Sequence, residues 1–497
     1  MRQKQFLQRR YRAMAAYEGL ILFLLGLLVI CPLSALIVWP QEARQVWWFL
    51  LPGGSLAALG ALLWWSLRPK EPVSLSTPEG AVIIVFAWAA AMLVGAVPLM
   101  GCAGLNFSQA VFEATSGWTT TGLSVVDVTK ASHLILLHRS IMQLAGGAGL
   151  AILMLAAFGG PLGVGLSAAE GKETQLVPHM RRSTRLVVSI YAAYALTGIL
   201  ALRLAGMDWF DAVNHSFCAV STGGFSTRPE SIGYWNSPLI EAVTIPLMIL
   251  GNLNFLTTYA LLRGKWRAVL RNGEVRLMAF LLPVGISVLF ICATAAMFPS
   301  LGKSLRVAIF ETVSALTTTG YSTVDYKSFN AAATLMLITL MLVGGGICST
   351  AGGIKQFRIY MMWRTLLWEF RRLLLPRNAV SRPQIWGEDS REPVDDASLR
   401  QIGVFIFLYL VLFLSGAVLL GVFGFSLSDS LFEFASALGT VGLSVGVTSQ
   451  TTPSAALWAE TLAMLLGRLE FLVVGIGLVK IIQDGRWMVK VVPTSRK

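Results

Sequence analysis

Apolar runs of bilayer length alternate with short polar stretches along the whole chain. A helix needs about 20 residues to cross the hydrocarbon core of a membrane. From this pattern we predict an all-α polytopic membrane protein. The predicted spanning helices cover 17–39, 46–67, 80–100, 134–160, 186–206, 238–262, 277–299, 331–366, 402–424 and 455–480.

The first two predicted spans form an N-terminal hairpin, and the other eight fall into four pairs. Each pair encloses an apolar stretch that is too short to cross a bilayer. We predict that each stretch is a short helix that enters the membrane and returns to the same side. The stretches are 107–119, 210–221, 304–317 and 428–439, with candidate N-caps Ser108, Asp208 or Asp211, Ser304, and Ser428 or Asp429.

The pattern Thr-x-Gly-apolar-Ser ends or follows all four short stretches. Its central glycines recur at intervals of 102, 96 and 122 residues, so one repeat is a pair of spans with its short stretch. A single Gly-Ser turn beside a membrane helix is most often a packing glycine or a loop cap. Four copies at the same offset favour one shared function instead. The four glycines are Gly122, Gly224, Gly320 and Gly442.

This repeated pattern fits the chemistry of a dehydrated cation. An ion that enters a bilayer must have its hydration shell replaced by other oxygen atoms. Extended backbone can supply a ring of carbonyl oxygens, and glycine permits the backbone angles that aim them inward. Non-helical backbone at membrane depth is tolerated where it is buried or lines a water-filled path. The sequence therefore predicts a selectivity filter made from four loops.

Composition and charge support the membrane assignment and exclude other classes. Apolar residues make up 55% of the chain, charged residues 13%, and the net charge is +13. Most of the 39 Lys and Arg residues fall on one side of the predicted spans, which indicates cytoplasmic termini rather than nucleic-acid binding. The 5 cysteines and 4 histidines lack the spacing of a disulfide or zinc framework. A membrane-embedded enzyme would need a clustered acid, base or metal set, and a scaffold would not explain four such loops.

The four loops resemble those of the Trk/Ktr/HKT potassium-transporter superfamily, in the segments 120–124, 221–227, 318–322 and 438–444. The segments 144–149, 344–355 and 467–470 resemble further motifs of that superfamily, and the N-terminal hairpin is closest to the Trk type. The resemblance implies one pore in each protomer of a homodimer, above a cytosolic nucleotide-binding ring of the RCK type. It also implies preference for K⁺, because Ser at the position of Gly122 accompanies Na⁺ in that superfamily.

The resemblance assigns three residues of each loop to the filter. They are Thr120, Thr121, Gly122; Thr222, Gly223, Gly224; Thr318, Thr319, Gly320; and Thr440, Val441, Gly442. The expected K⁺ contacts come from the first two residues of each set. The loops differ in detail, since Gly223 stands where Thr121 and Thr319 stand in two of the others. No organic cofactor is expected.

A glycine-rich segment interrupts the predicted span 331–366 and is interpreted, mainly by resemblance, as a gating loop beneath the filter. The alternative is a packing seam between helices. Ile347, Cys348 and Ala351 depart from the small residues usual there. Only the third repeat is expected to be followed by a broken helix. The candidate gating residues are Gly344, Gly345, Gly346, Ser349, Thr350, Gly352 and Gly353.

Two further sets of ionisable residues stand at membrane depth. Arg468 is predicted to form a cationic barrier beside the pore, or alternatively a structural ion pair with Glu470 or with a pore-helix carboxylate. Equivalent positions of the short stretches hold Glu113, Glu311, Glu433 and, in the second repeat, His215. We expect these residues to brace the filter rather than to attract cations.

The predicted organisation has an N-terminal hairpin (1–75) and four pore repeats (76–165, 166–265, 266–395 and 396–497). The predicted function is K⁺ uptake across the cell or inner membrane through a channel-like, non-enzymatic subunit surrounded by lipid. The alternative is a symporter that couples K⁺ to H⁺ or Na⁺. Docking of the regulatory ring on the 371–400 stretch is left open beside a solvated loop.

Overall fold

The computed structural model describes residues 2–69, 75–149, 180–376, 384–386, 391–394 and 396–490. Within these ranges the fold is almost entirely helical, as predicted. Six helices are long and apolar enough to cross a membrane, or up to eight if each of two bent helix pairs is one span. The second half of the predicted span 134–160 lies outside the described residues.

The N-terminal hairpin consists of helices Arg2–Ile30 and Val46–Leu67, joined by 3₁₀ turns at Cys31–Ile37 and Pro40–Gln45. Its two helices pack closely because glycines face each other. A Cβ atom on Gly26 would lie 2.4 Å from the carbonyl oxygen of Gly53, so no larger residue fits at that contact. The hairpin also packs against the helix Thr77–Ala103.

Four units follow the hairpin, and each has an outer helix, a short pore helix and an inner helix. The outer helices are Thr77–Ala103, Met180–Leu204, Gly273–Leu289 and Asp396–Val422. The pore helices are Phe107–Trp118, Trp209–Val220, Leu301–Leu316 and Leu427–Gly439. The inner helices are His133–Gly147, Pro238–Asn252, Ala331–Val343 and Ser454–Leu469.

The first pore helix begins at the predicted residue, and the other three begin one to three residues earlier than predicted. Their N-cap residues are Asn106, Asp208, Ser300 and Ser426. The side chains of Asn106, Asp208 and Ser426 accept a hydrogen bond from the third helical backbone N–H, which satisfies one donor at the helix start. Ser108, Ser304 and Ser428 lie inside the helices, so their assignment as N-caps was wrong.

The four units pack in a closed circle. Within each unit the outer helix packs against its own pore helix. The inner helix of each unit then packs against the pore helix of the next unit, and inner helix 4 packs against pore helix 1. The four loops that follow the pore helices therefore meet at the centre of the circle.

Three inner helices are interrupted within the described residues, which corrects the expectation that only the third would break. Inner helix 2 bends by 118° into the helix Phe255–Leu262, and inner helix 4 bends by 95° at Glu470 into the helix Phe471–Lys490. Inner helix 3 ends at Val343, and the chain becomes helical again at Gln356–Leu373. The break is thus shared by units 2, 3 and 4, and among these units the long glycine-rich insertion is special to unit 3.

The remaining elements are short. A π-helical turn, Phe290–Thr294, and the helix Ala295–Met297 extend outer helix 3, and the helix Trp266–Arg271 precedes it. Strands Gln384–Trp386 and Arg391–Pro393 pair antiparallel within the predicted 371–400 loop. Single 3₁₀ turns at Ser231–Trp235 and Tyr326–Ser328 lie between pore helix and inner helix in units 2 and 3.

Candidate ion pathway

The four predicted filter loops share one backbone conformation. The first residue of each loop is a threonine with positive φ, although a β-branched residue rarely adopts such an angle. The φ values are 55° at Thr120, 52° at Thr222, 53° at Thr318 and 50° at Thr440. The central glycines also have positive φ, from 73° to 100°. The same strained conformation in all four loops indicates a shared constraint.

The loops form a closed ring. Each central glycine faces the backbone carbonyl of the next loop so closely that a Cβ atom would collide with its oxygen. The carbonyl oxygens therefore lie in one layer around a common axis. The distances from an added Cβ to the facing oxygen are 2.3 Å for Gly122 to Gly223, 2.2 Å for Gly224 to Thr319, 1.9 Å for Gly320 to Val441 and 2.2 Å for Gly442 to Thr121.

Each loop is also tied to its own pore helix. The N–H of the second filter residue donates to a carbonyl in the last turn of the pore helix, as from Thr121 to Ser116 at 2.9 Å. The N–H of Gly122 donates to the hydroxyl of the same serine at 3.0 Å. The hydroxyls of Thr119 and Thr121 lie 2.7 Å apart, and Thr317 and Thr319 form the same pair at 2.8 Å. These bonds hold the turn at the helix end.

Buried carboxylates brace three of the loops, as expected. Glu113 accepts bonds from the N–H of Val125 at 2.8 Å and from the hydroxyl of Ser124 at 2.9 Å. Glu311 accepts from the N–H of Thr323 at 2.8 Å, and Glu433 accepts from the N–H of Val445 at 3.1 Å. All three carboxylates lie behind the filter, where they hold the chain after it leaves the ring.

The second unit achieves this bracing in another way. His215, at the equivalent position, contacts the hydroxyl of Ser226 at 3.0 Å. The carboxylate is supplied one helical turn earlier by Asp211, which accepts from the hydroxyl of Thr227 at 2.6 Å and pairs with Arg228 at 2.9 Å. From the sequence, Asp211 was predicted only as a candidate N-cap, so this bracing role was not predicted.

Arg139, which the sequence analysis did not single out, joins the first two loops. It is 2% exposed, pairs with Glu113 at 2.8 Å and donates to the hydroxyl of Ser124 at 2.8 Å. It also donates to the backbone carbonyl of Ser226 in the second loop at 3.1 Å. An arginine inside a predicted span was the available signal, because ionisable residues at membrane depth usually have a function.

A cavity of about 390 Å³ opens above the ring and is lined by all four central glycines. Asp127 lies in its wall and is ionised, since hydrogen bonds from Thr129 and the charge of Lys130 hold the pKa of its carboxyl below the ordinary value. This cavity gives the ring access from the side opposite to the glycine-rich segment. Arg139 and Arg228 also line the cavity, and each pairs with a buried carboxylate, while Asp127 pairs with exposed Lys130 at 3.0 Å.

The predicted gating segment lies directly against the other side of the ring. The N–H of Gly352 donates to the hydroxyl of Thr318 at 2.9 Å, and the hydroxyl of Thr222 donates to that of Thr350 at 3.1 Å. A Cβ atom on Gly352 would lie 2.0 Å from the hydroxyl oxygen of Thr440. The segment therefore contacts three of the four filter threonines.

The segment is a folded turn rather than a seam of spaced glycines. Its two ends pair where the N–H of Gly345 donates to the carbonyl of Gly352 at 3.1 Å. Gly344 and Gly353 have φ values of 68° and 79°, which only glycine adopts readily. Ser349 donates to the carbonyl of Gly346 at 2.6 Å inside the turn.

Arg468 connects this segment to inner helix 1. Its guanidinium donates to the backbone carbonyl of Thr350 and, at 2.6 Å, to that of Gly146. Glu470, which was considered as an alternative partner of Arg468, pairs with Arg358 at 2.7 Å. Arg468 lines a small cavity of about 60 Å³ beneath the segment. A cation thus lies on the side of the segment that faces away from the ring.

Two of the threonines that begin the loops have buried hydroxyl oxygens without a hydrogen-bond partner among the described residues. Within the described part of the chain, the hydroxyl oxygens of Thr120 and Thr440 have no hydrogen-bond partner, although both residues are fully buried. Buried polar atoms are nearly always satisfied, so such atoms call for a missing partner. A desolvated cation, which binds oxygen ligands, fits this position.

Known proteins match this chain over nearly its whole length. A family model described as "TrkH: Cation transport protein" matches residues 49–488. The chain belongs to the TrkH family of cation transport proteins. The Trk system potassium uptake protein TrkH of Halomonas elongata is 31% identical over 471 residues, which are 92% of this chain and 96% of the relative. The TrkH of Escherichia coli K12 is also 31% identical, over 93% and 96%.

The fold of a solved family member agrees. The crystal structure of the potassium transporter TrkH from Vibrio parahaemolyticus superposes with a TM-score of 0.81 and 25% identity, covering 94% of this chain and 98% of that one. Membership of the TrkH family confirms the predicted Trk type and the helical membrane fold. It also confirms that the chain is a transporter rather than an enzyme.

Proposed function

We propose that this TrkH-family chain is a potassium-selective subunit that lets K⁺ enter the cell by a channel-like route. The closed ring of carbonyl oxygens carries the proposal, because a ring of four strands is the arrangement that replaces the hydration shell of K⁺. The names of the relatives as potassium uptake proteins support the choice of ion.

In this proposal K⁺ enters through the cavity above the ring and loses its water at the filter. Backbone carbonyls and threonine hydroxyls of the first two residues in each loop then take the place of the water. Glycine at position 122 keeps the ring open, since any side chain there would meet the Gly223 carbonyl. The proposed K⁺ ligands are Thr120, Thr121, Thr222, Gly223, Thr318, Thr319, Thr440 and Val441.

The segment from Gly344 to Gly353 acts as the gate, and Arg468 acts as an electrostatic barrier below it. Contacts with the hydroxyls of Thr222 and Thr318 support a gate that closes the exit of the filter. The bonds of Arg468 to Thr350 and Gly146 support a closed position that must be released before ions pass. A cation at that place also repels K⁺ directly.

The proposal includes assembly and orientation. Two copies form a homodimer, and a cytosolic nucleotide-binding ring of the RCK type controls the gate. The relatives are named as parts of a Trk system, which supports a partner subunit. Both termini lie in the cytoplasm of a cell or inner membrane, and the unit boundaries are those given from the sequence.

Flux into proteoliposomes tests this function and separates it from symport. The purified protein is reconstituted, and K⁺ entry is followed with a K⁺ gradient but without H⁺ or Na⁺ gradients. Na⁺ entry is followed in a parallel experiment with an equal Na⁺ gradient and no K⁺ gradient. We expect K⁺ to enter down its own gradient and Na⁺ to enter much more slowly. Entry of K⁺ that requires a H⁺ or Na⁺ gradient would favour the symporter, and equal entry of both ions would refute selectivity.

A further inference from the structure

The second filter loop lacks an anchor that two of the other loops have. In loops 1 and 3 the middle residue is a threonine whose hydroxyl pairs with the threonine two positions earlier, at 2.7 and 2.8 Å. Loop 2 has Gly223 at this position, followed by Gly224. Two successive glycines have much conformational freedom, so loop 2 needs support from elsewhere.

Gln143 of inner helix 1 occupies the space of the missing side chain. A Cβ atom on Gly223 would lie only 2.4 Å from the Cδ atom of Gln143. The glutamine side chain is fully buried. It reaches loop 2 because inner helix 1 packs against pore helix 2 across the boundary between units.

The nitrogen and the oxygen of the Gln143 side-chain amide both form hydrogen bonds with the backbone of loop 2. Its Nε2 atom donates to the carbonyl of Gly223 at 2.5 Å, and its Oε1 atom accepts from the N–H of Phe225 at 3.1 Å. The two bonds lie on either side of Gly224. They fix the orientation of the Gly223 carbonyl, which is the one that faces Gly122 in the ring.

We propose that Gln143 is a positioning residue that sets K⁺ over Na⁺ selectivity by holding the Gly223 carbonyl at the distance that suits K⁺. This inference rests on the proposed function. A carbonyl oxygen has two lone pairs, so it can accept from Gln143 and still face an ion. Without the clamp, loop 2 is free to move toward the axis and to fit the smaller Na⁺.

The test compares the K⁺ to Na⁺ permeability ratio of full-length variants in proteoliposomes. Gln143→Leu keeps most of the volume and removes both hydrogen bonds. Gln143→Glu keeps the acceptor for Phe225 and replaces the donor. We expect both to lower the ratio by about five- to tenfold, the scale of losing one net hydrogen bond. Gln450→Leu, at an exposed position, is the matched control and leaves the ratio unchanged.

A double variant supplies a rescue that a purely structural role would not show. In this double variant, Gln143→Ala removes the side chain that occupies the space beside residue 223. Gly223→Thr then places a new hydroxyl in that space, opposite Ser221. This arrangement copies the Thr119 and Thr121 pair of loop 1. We expect the ratio to return to within about twofold of the wild type.

The outcomes separate this inference from the proposed function. A wild-type ratio near one refutes the proposed function before any variant is compared. A selective wild type with an unchanged ratio in folded Gln143→Leu overturns the role of Gln143. A ratio that stays low in the double variant also overturns it. If Gln143→Leu does not fold, the test rests on the double variant alone. A permeability ratio of the double variant equal to that of the wild type then supports the role of Gln143 as the anchor of loop 2.

Discussion

Among individual residues, single glycines and buried charged side chains contribute most to the proposed selectivity. The sequence predicted which residues form the ring of four loops, because their pattern repeats without a gap. It could not predict that Thr120 and its equivalents adopt positive φ, since a β-branched residue resists that angle. The angle is imposed by neighbouring loops and pore helices, which are distant in sequence.

Gly122→Ser should lower the K⁺ to Na⁺ permeability ratio. The φ of 100° is strained for serine, and its Cβ would lie 2.3 Å from the Gly223 carbonyl oxygen. The carbonyl must move, and the ring changes its size. Gly104→Ser is the matched control, because Gly104 has a φ of 66° with no atom within 4 Å of an added Cβ. A ratio that stays the same in Gly122→Ser would place loop 1 outside the filter.

Glu113→Ala should destabilise the protein by about 3–5 kcal/mol, because it leaves buried Arg139 without its carboxylate. The exposed pair of Glu369 and Arg372 offers a control, and Glu369→Ala should change stability by less than about 1 kcal/mol. Denaturant titration of the protein in detergent measures both. Equal effects in the two variants would show that Arg139 and Glu113 do not act as a brace.

For the individual helices, hydropathy predicted the positions well but missed two of the breaks. The chain at Asn252 and Glu470 reads as continuous span, because a few polar residues hardly change a long apolar window. The bends are stabilised by distant contacts, such as the N–H of Gly346 donating to the carbonyl of Asn252 at 3.2 Å. The pair of Glu470 with Arg358 plays this part in unit 4. Neither contact can be inferred from spacing along the chain.

Deletion of residues 346–350 should raise K⁺ flux in the absence of any regulatory partner. The deleted segment includes Thr350, which bonds to Thr222 at the exit of the ring and to Arg468 below it. Proteoliposome flux at rest measures the effect, with intact folding checked by size-exclusion chromatography. If resting flux in a folded deletion variant equals that of the wild type, the segment is not a gate.

Arg468→Ala should also raise resting flux, since it removes both a positive charge and the bonds to Thr350 and Gly146. Each 1.4 kcal/mol of barrier removed corresponds to about a tenfold gain in rate. Arg267→Ala, at an exposed position, serves as the control and should leave flux unchanged. Equal flux in both variants would argue against a barrier at Arg468.

For the molecule as a whole, only the outline of the circular packing of four units could be predicted from the sequence. Repeats suggested a ring, but the order of contacts depends on inner helices that reach the next pore helix. The proposed orientation in the membrane rests on charge, since most of the 39 Lys and Arg residues cluster on one side of the predicted spans. Association with other chains leaves no comparable pattern in the sequence.

Tags at the two termini should be accessible to protease in inverted vesicles and protected in intact cells. The excess of Lys and Arg in the segments that flank the spans is the physical reason, because positive loops remain in the cytoplasm. Tags on a loop after a pore helix, such as the one containing Asp127, should show the opposite pattern. Cleavage of either terminal tag from outside would reverse the proposed orientation.

The most direct measurement of the central claim is anomalous diffraction from crystals grown with Rb⁺ in place of K⁺. We predict a peak on the axis of the ring, within contact distance of the carbonyl layer and of the four threonines that begin the loops. Those threonines are Thr120, Thr222, Thr318 and Thr440. A well-ordered ring without a peak, or Rb⁺ bound only elsewhere in the protein, would contradict a filter at this place.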